Sequence, residues 1–273
     1  MKFAEFGPAV QKRLWVGILI VLALIFLLSA MRYLRPAQEV QLPKLGLMTT
    51  LPLQWSEGGI EAAIKDDAAP HPAYARLTAA YNVVPLDNLD GIDQLSLMLL
   101  AQPRAMSPSE LVKLDEWVRG GGRLLLLADP AVQWGSLYPL GDKRRPLFTS
   151  LLSPLFSHWG IELVLPIDKA EPVSMREIDG LTIRTLTPGE WRTKGGAKTS
   201  LCRIGENAIY ADCSVEKGRA VLIADADLLD TPHWAGRGAR ILTRADESGN
   251  VAWIEKLLID LRNDANVGDN VGN

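Results

Sequence analysis

The sequence predicts an α/β protein: an N-terminal transmembrane helix followed by a mostly parallel, doubly wound sheet that carries a small antiparallel β insert. Three observations carry that prediction. Leu95–Pro130 reads as strand, loop, capped helix and strand, the parallel βαβ unit. Between Ile178 and Cys213 the apolar period changes to strict alternation, the mark of antiparallel strands. From Leu14 to Met31 no residue is charged.

That charge-free run spans about 27 Å as a helix, close to the hydrocarbon core of a bilayer. Lys12-Arg13 and Arg32 bracket it, with Trp15 and Tyr33 at the interfacial positions. A cleaved signal peptide fits less well, because the apolar region is long and Leu28-Ser29-Ala30 is a poor cleavage site. The chain therefore divides into a tail (1–13), an anchor (14–33), a proline-containing linker (34–44), an α/β domain (45–262) and a disordered polar tail (263–273). Lys and Arg flank the anchor on both sides, so charge alone does not orient it. A short N-terminal tail and the cysteine pair below favour a periplasmic domain.

Within the domain, Leu45–Thr50 is the first strand, Pro72–Tyr81 a helix and Asn82–Leu86 a second strand. Leu95–Leu100 and Leu124–Leu127 are short unbroken apolar runs, as expected of strands buried on both faces. Between them Ser107, Pro108 and Glu110 form a helix start with a capping box, and Gly120–Gly122 ends the helix. A helix over 147–159, bent at Pro154, leads to a strand at Ile161–Leu165. The antiparallel insert occupies about 178–215. Ala220–Ala224 is a further buried strand, and Asn250 is placed to cap a last amphipathic helix bearing Val251, Ile254, Leu257, Leu258 and Leu261.

Composition excludes several functions. With 48% hydrophobic residues, 22% charged residues and a net charge of −3, the chain is no nucleic-acid binder. Three histidines and two cysteines are too few and too scattered for a zinc site. No G-x-S-x-G or comparable nucleophile turn is present, and His71, His158 and His233 lie in no triad-like context. The glycine run follows a helix and precedes a strand, the wrong order for a phosphate cradle. No catalytic residue, metal or cofactor is assigned.

Two sets of residues remain as candidates. Asp129 and Asp225 each follow a buried strand (LLLLADP, VLIADAD), and ligands sit at the carboxyl ends of parallel strands. With Asp227 they could bind a ligand hydroxyl or a cation; alternatively each caps the turn it begins. Cys202 and Cys213 bracket the turn at Gly205–Asn207 and lie within disulfide reach on a tight hairpin; two small buried residues that never meet is the other reading. Several tryptophans, Trp55 and Trp134 among them, sit in loops, where they either grip a partner or plug the fold. Lys143-Arg144-Arg145 is a basic loop or a headgroup contact.

The stretches Ser107–Pro130 (with LDEWVRGGGRLLLLADP) and Glu216–Leu229 (EKGRAVLIADADLL), with looser agreement over Leu45–Leu100 and a final amphipathic helix, resemble the GldG-type auxiliary proteins of ABC transporters. The resemblance implies a membrane-anchored extracytoplasmic domain whose amidotransferase- or flavodoxin-like fold lacks the catalytic residues. It implies a non-catalytic accessory subunit in the inner (cytoplasmic) membrane, partnered by permease and other auxiliary subunits. A second reading makes the protein an extracytoplasmic hydrolase or glycan-processing enzyme acting through the strand-end aspartates, and a third a receptor for a soluble ligand.

Overall fold

Short apolar runs separated by crossovers have one way to hide both faces, which is to lie side by side in the middle of a layered sheet. The computed structural model describes residues 17–27, 41–54, 57, 70–166, 173–196, 200–234 and 248–270. The chain forms two units, Met1–Gln41 and Leu42–Asn273. In the first, residues 17–27 are helical with exposed side chains. Among the described residues no helix is long and apolar enough to cross a membrane. The rest of the expected anchor and most of the linker lie outside the described residues.

In the second unit the elements run β1 (Lys44–Thr49), α1 (Pro72–Ala80), β2 (Asn82–Pro85), β3 (Leu97–Ala101), α2 (Pro108–Arg119), β4 (Arg123–Leu127), α3 (Ser153–His158) and β5 (Ile161–Val164). They continue with β6 (Val173–Ile178), β7 (Leu181–Leu186), β8 (Glu190–Thr193), β9 (Ser200–Ile204), β10 (Tyr210–Val215), β11 (Gly218–Ile223) and α4 (Asn250–Asn270). The main sheet has the order β2-β1-β3-β4-β11-β10-β9. The pairs from β2 to β11 are parallel; β11–β10 and β10–β9 are antiparallel. The expected mostly parallel α/β sheet with antiparallel strands is present.

The central βαβ unit forms as its residues dictate. Ser107 accepts from the Glu110 backbone N–H while the Glu110 carboxylate takes the Ser107 N–H, and Pro108 opens the helix. Leu97–Ala101 and Leu124–Leu127 are fully buried. Trp117 of α2 donates its indole N–H to the Leu95 carbonyl (2.9 Å) and packs over Gly122, where a Cβ would lie 2.5 Å from the ring. At Gly218, the first residue of β11, a Cβ would lie 1.8 Å from the Val118 carbonyl oxygen. The helix therefore sits on backbone at these two points.

Two elements differ from the sequence prediction. The helix expected over 147–159 is only Ser153–His158, because Pro154 stands in its first turn and offers no N–H to a preceding turn. The insert expected over 178–215 is divided. β6 and β7 form a separate hairpin, β8 pairs with β5, and β9 and β10 extend the main sheet. Alternation marks a strand but not its partner, and the tight Glu216-Lys217 turn obliges β10 to pair with β11.

Asn250 does not act as a cap. Buried, it takes the Arg184 N–H on Oδ1 (2.8 Å) and donates through Nδ2 to the carbonyls of Arg184 and Leu228, stitching α4 to β7. The helix runs past 262 to Asn270, with Asp264 ion-paired to Arg219. Cys202 on β9 faces Cys213 on β10 in direct register, their sulfurs bonded at 2.01 Å.

The closest backbone contact yields a prediction. Gly218→Ala forces the β-carbon into the Val118 carbonyl and should lower stability by about 2 kcal/mol or more. Urea unfolding of the two proteins measures the difference; an unchanged midpoint would show that α2 is not seated on β11 as described.

Candidate functional site at the carboxyl ends of the strands

β4 and β11 are neighbours with Leu127 opposite Ile223, and Asp129 and Asp225 each follow two residues later. Equal offsets on paired parallel strands put the two carboxylates side by side. Asp227 joins them from the short helical turn Asp227–Leu229. One oxygen from each of the three lies within 4.8 Å of the others, and all three side chains are buried. The tertiary structure thus assembles the three predicted aspartates into one cluster.

Their partners, among the described residues, are backbone N–H groups. Asp129 accepts from Ala131 (2.7 Å) and Ala226 (3.0 Å), Asp225 from Leu186 (2.9 Å) and Leu228 (3.2 Å), and Asp227 from Gln133 (2.8 Å). Asp129 and Asp225 therefore also cap the turns they begin, through Ala131 and Leu228, whereas Asp227 reaches across to the loop after β4. Burial, reinforced by the Asp227 charge, pushes Asp129 up to about 7. Burial and the charges of Asp129 and Asp227 raise Asp225 well above the usual carboxylate range. Asp227 and the nearby Asp230 are both pushed up to about 6, chiefly by burial. Five of the six carboxylate oxygens accept these N–H groups, and Asp227 Oδ1 is buried with no hydrogen-bond partner among the described residues; three carboxylates placed so close can retain protons or offer oxygen ligands to a cation.

The crevice between β1 and β3, where the strand order reverses, is the expected ligand position in a sheet of this type. Here it is filled by protein. The Gln102 backbone turns with φ +44°, the sharp departure from a strand that a nucleophile elbow also makes. Its side chain is a carboxamide. Oε1 accepts the Asp129 N–H (2.9 Å), and Nε2 donates to the carbonyls of Asp129 (3.2 Å) and Leu147 (3.0 Å). The Gln102 carbonyl accepts from the Thr50 hydroxyl (2.6 Å), and Leu147 N–H donates to that hydroxyl (3.2 Å). The loop after β4 is thereby drawn across the crevice.

His71 closes one side of this end. Its Nδ1 accepts the Ala73 N–H (3.3 Å), so Nε2 carries the proton and donates to the Thr231 hydroxyl (2.6 Å). That tautomer cannot take a proton from Thr231, and burial lowers the imidazole to about 4, keeping it neutral near pH 7. Trp134 lies against His71 at 5.3 Å and is buried, as are Trp159, Trp191 and Trp234, so these tryptophans plug the fold. Trp55 lies outside the described residues. Gln102, Thr50 and the His71–Thr231 pair were not singled out from the sequence. The one available signal was a polar residue between a buried strand and a proline, in LLAQP.

Comparison with known proteins places this geometry in context. Residues 42–164 match the ABC transporter auxiliary family, described as an ABC-type uncharacterized transport system. The match supports that family and points to an auxiliary component of an ABC-type transport system. No curated protein matches the chain. Among solved structures, an exo-β-1,4-mannosidase from an Opitutaceae bacterium is 15% identical at a TM-score of 0.47, covering 86% of this chain and 39% of that one. The N-terminal domain of mmIFT52 is 14% identical at 0.46, covering 81% of this chain and 97% of that one. A ThuA-like protein from Bacteroides uniformis is 10% identical at 0.37, covering 84% and 94%. The chain thus spans well under half of the mannosidase, and at this distance none of the three bears on activity or ligand.

The raised carboxyls have a measurable consequence. Between the ordinary carboxylate value and pH 7 the folded state holds protons that the unfolded chain has released, so stability from Asp129, Asp225 and Asp227 falls as pH rises through that window. His71, lowered on folding, opposes this below about pH 6.5. The melting temperature should therefore drop by roughly 5 °C from pH 5 to pH 8. Asp225→Asn should flatten that slope whatever it does to the absolute value. Thermal scans across this range check both; a slope equal in the two proteins rules out protons retained at Asp225.

Proposed function

We propose that this protein is a non-catalytic, membrane-anchored accessory subunit of an ABC-type transport system, which docks on permease subunits through the loop covering its strand ends. The observation that carries the reading is the family match over 42–164, which takes in β1 to β5 and this loop whole. Two features of the domain favour docking over catalysis. The strand-end carboxylates are buried and bound to backbone, so a substrate would have to displace the covering loop to reach them. The loop itself is braced. Tyr138 donates its hydroxyl to the Glu57 carbonyl (2.7 Å), and the Arg144 guanidinium lies over the Tyr138 ring at 4.0 Å.

On that braced loop Leu137 and Leu140 are 81% and 82% exposed, and Phe148 and Leu151 are also exposed. Apolar side chains held out rigidly beside Lys143 and Arg144 make a surface suited to a protein partner with an apolar centre and an acidic rim. Replacing both leucines, Leu137→Asp with Leu140→Asp, should weaken co-purification with the permease at least tenfold while leaving the melting temperature unchanged. Undiminished capture by the double variant would overturn this docking surface.

A periplasmic location is part of this proposal, and the bonded cysteine pair, which suits an oxidising compartment, supports it. In intact cells Cys202 and Cys213 should resist alkylation until reductant is added, and a periplasm-specific reporter fused after Asn273 should be active. Free thiols together with a silent reporter would put the domain on the cytoplasmic side.

A further inference from the structure

The backbone N–H groups that hold Asp129, Asp225 and Asp227 leave part of their coordinating capacity unused. A carboxylate oxygen carries two lone pairs, and a single N–H takes one of them. Asp227 Oδ1 accepts nothing among the described residues, although Asp227 is only 1% exposed. Its companion Oδ2 is fixed by the Gln133 N–H (2.8 Å), so the whole carboxylate is held against the other two. The charges acting on the three groups are one another's and that of Asp230, all of the same sign. A buried carboxylate oxygen left with neither donor nor counter-charge is costly, and an arriving cation would relieve it.

The spacing suits a particular size of ion. One oxygen from each residue lies within 4.8 Å of the others. Two oxygens bound to one calcium ion at about 2.3–2.6 Å stand at most about 5 Å apart, so these three are spaced to share it. Magnesium draws its ligands in to about 2.1 Å and demands a near-ideal octahedron. A donor set made only of carboxylates favours such hard cations over zinc or copper. The N–H bonds then act as an outer shell. Ligating carboxylates are ordinarily hydrogen-bonded in turn, which orients them before the ion arrives.

We infer that Asp129, Asp225 and Asp227 bind one divalent cation of calcium's size, and that Asp227 Oδ1 is the ligand the protein itself leaves unpartnered. The ion supplies the positive charge that the cluster needs. It ties together the ends of β4 and β11 and, through Asp227 and Gln133, the loop after β4. Water admitted with the ion completes its coordination. The site is independent of the docking surface, and either can fail without the other.

Calcium itself is the probe. The full-length protein in detergent, freed of metal with a chelator and held at about pH 8, is titrated with calcium chloride by calorimetry and by thermal melting. One ion per chain should bind, and the melting temperature should rise by roughly 5 °C at saturation. Magnesium should bind about tenfold more weakly. Asp227→Asn and Asp225→Asn should each weaken calcium at least tenfold. Asp227→Asn keeps an oxygen for the Gln133 N–H and removes a buried charge, so without calcium it should melt no lower than the unsubstituted protein. That separates a lost ligand from a lost fold. Three results overturn the inference: no saturable response to calcium, equal calcium affinity in the unsubstituted protein and both variants, or magnesium bound as tightly as calcium.

Discussion

The carboxamide of Gln102 governs the carboxyl end of this sheet. By accepting the Asp129 N–H and donating to the Asp129 carbonyl, it does for the chain beyond β4 what another strand residue would have done. Its second donation, to Leu147, draws the loop after β4 over the gap between β1 and β3. Thr50 completes the clasp from the β1 side. Gln102 adopts left-handed backbone to do this, an uncommon conformation for a residue with a β-carbon, and its full set of hydrogen bonds offsets the strain.

Because the crevice is filled by that loop, the charged groups beneath it lose contact with water. Burial raises all three carboxyls above the ordinary carboxylate range, and the same closure buries Trp134 and lowers the His71 imidazole. A fold of this topology ordinarily presents its ligand site at the strand-order reversal. Here that place serves to lock a surface loop.

The local features of the domain were legible in the sequence because short-range chemistry determines them. Ser107, Pro108 and Glu110 start α2 wherever that helix is packed, and unbroken leucine runs are buried strands under any topology that covers both faces. The pairing of Asp129 with Asp225 was foreshadowed by two equal strand-end motifs, although nothing local required their strands to be neighbours. The alternating stretch over 178–215 announced strands and left their partners open, so its division among three sheets could not be read from periodicity. Asn250 shows the same limit, since an amide suited to capping a helix was taken instead by the backbone of β7.

By itself the sequence determined the α/β class, the capped central helix, the cysteine spacing that β9 and β10 bring into register, and the strand-end aspartates. Each of these depends on residues close together in the chain or on a repeated pattern. Only the tertiary structure decided that β11 lies beside β4, that Gln102 closes the switch-point crevice, and that Asp129, Asp225 and Asp227 meet in one buried cluster. Those outcomes join residues tens to nearly a hundred positions apart. They arise from which apolar faces can be buried together, a condition that the whole chain satisfies at once and no single segment encodes.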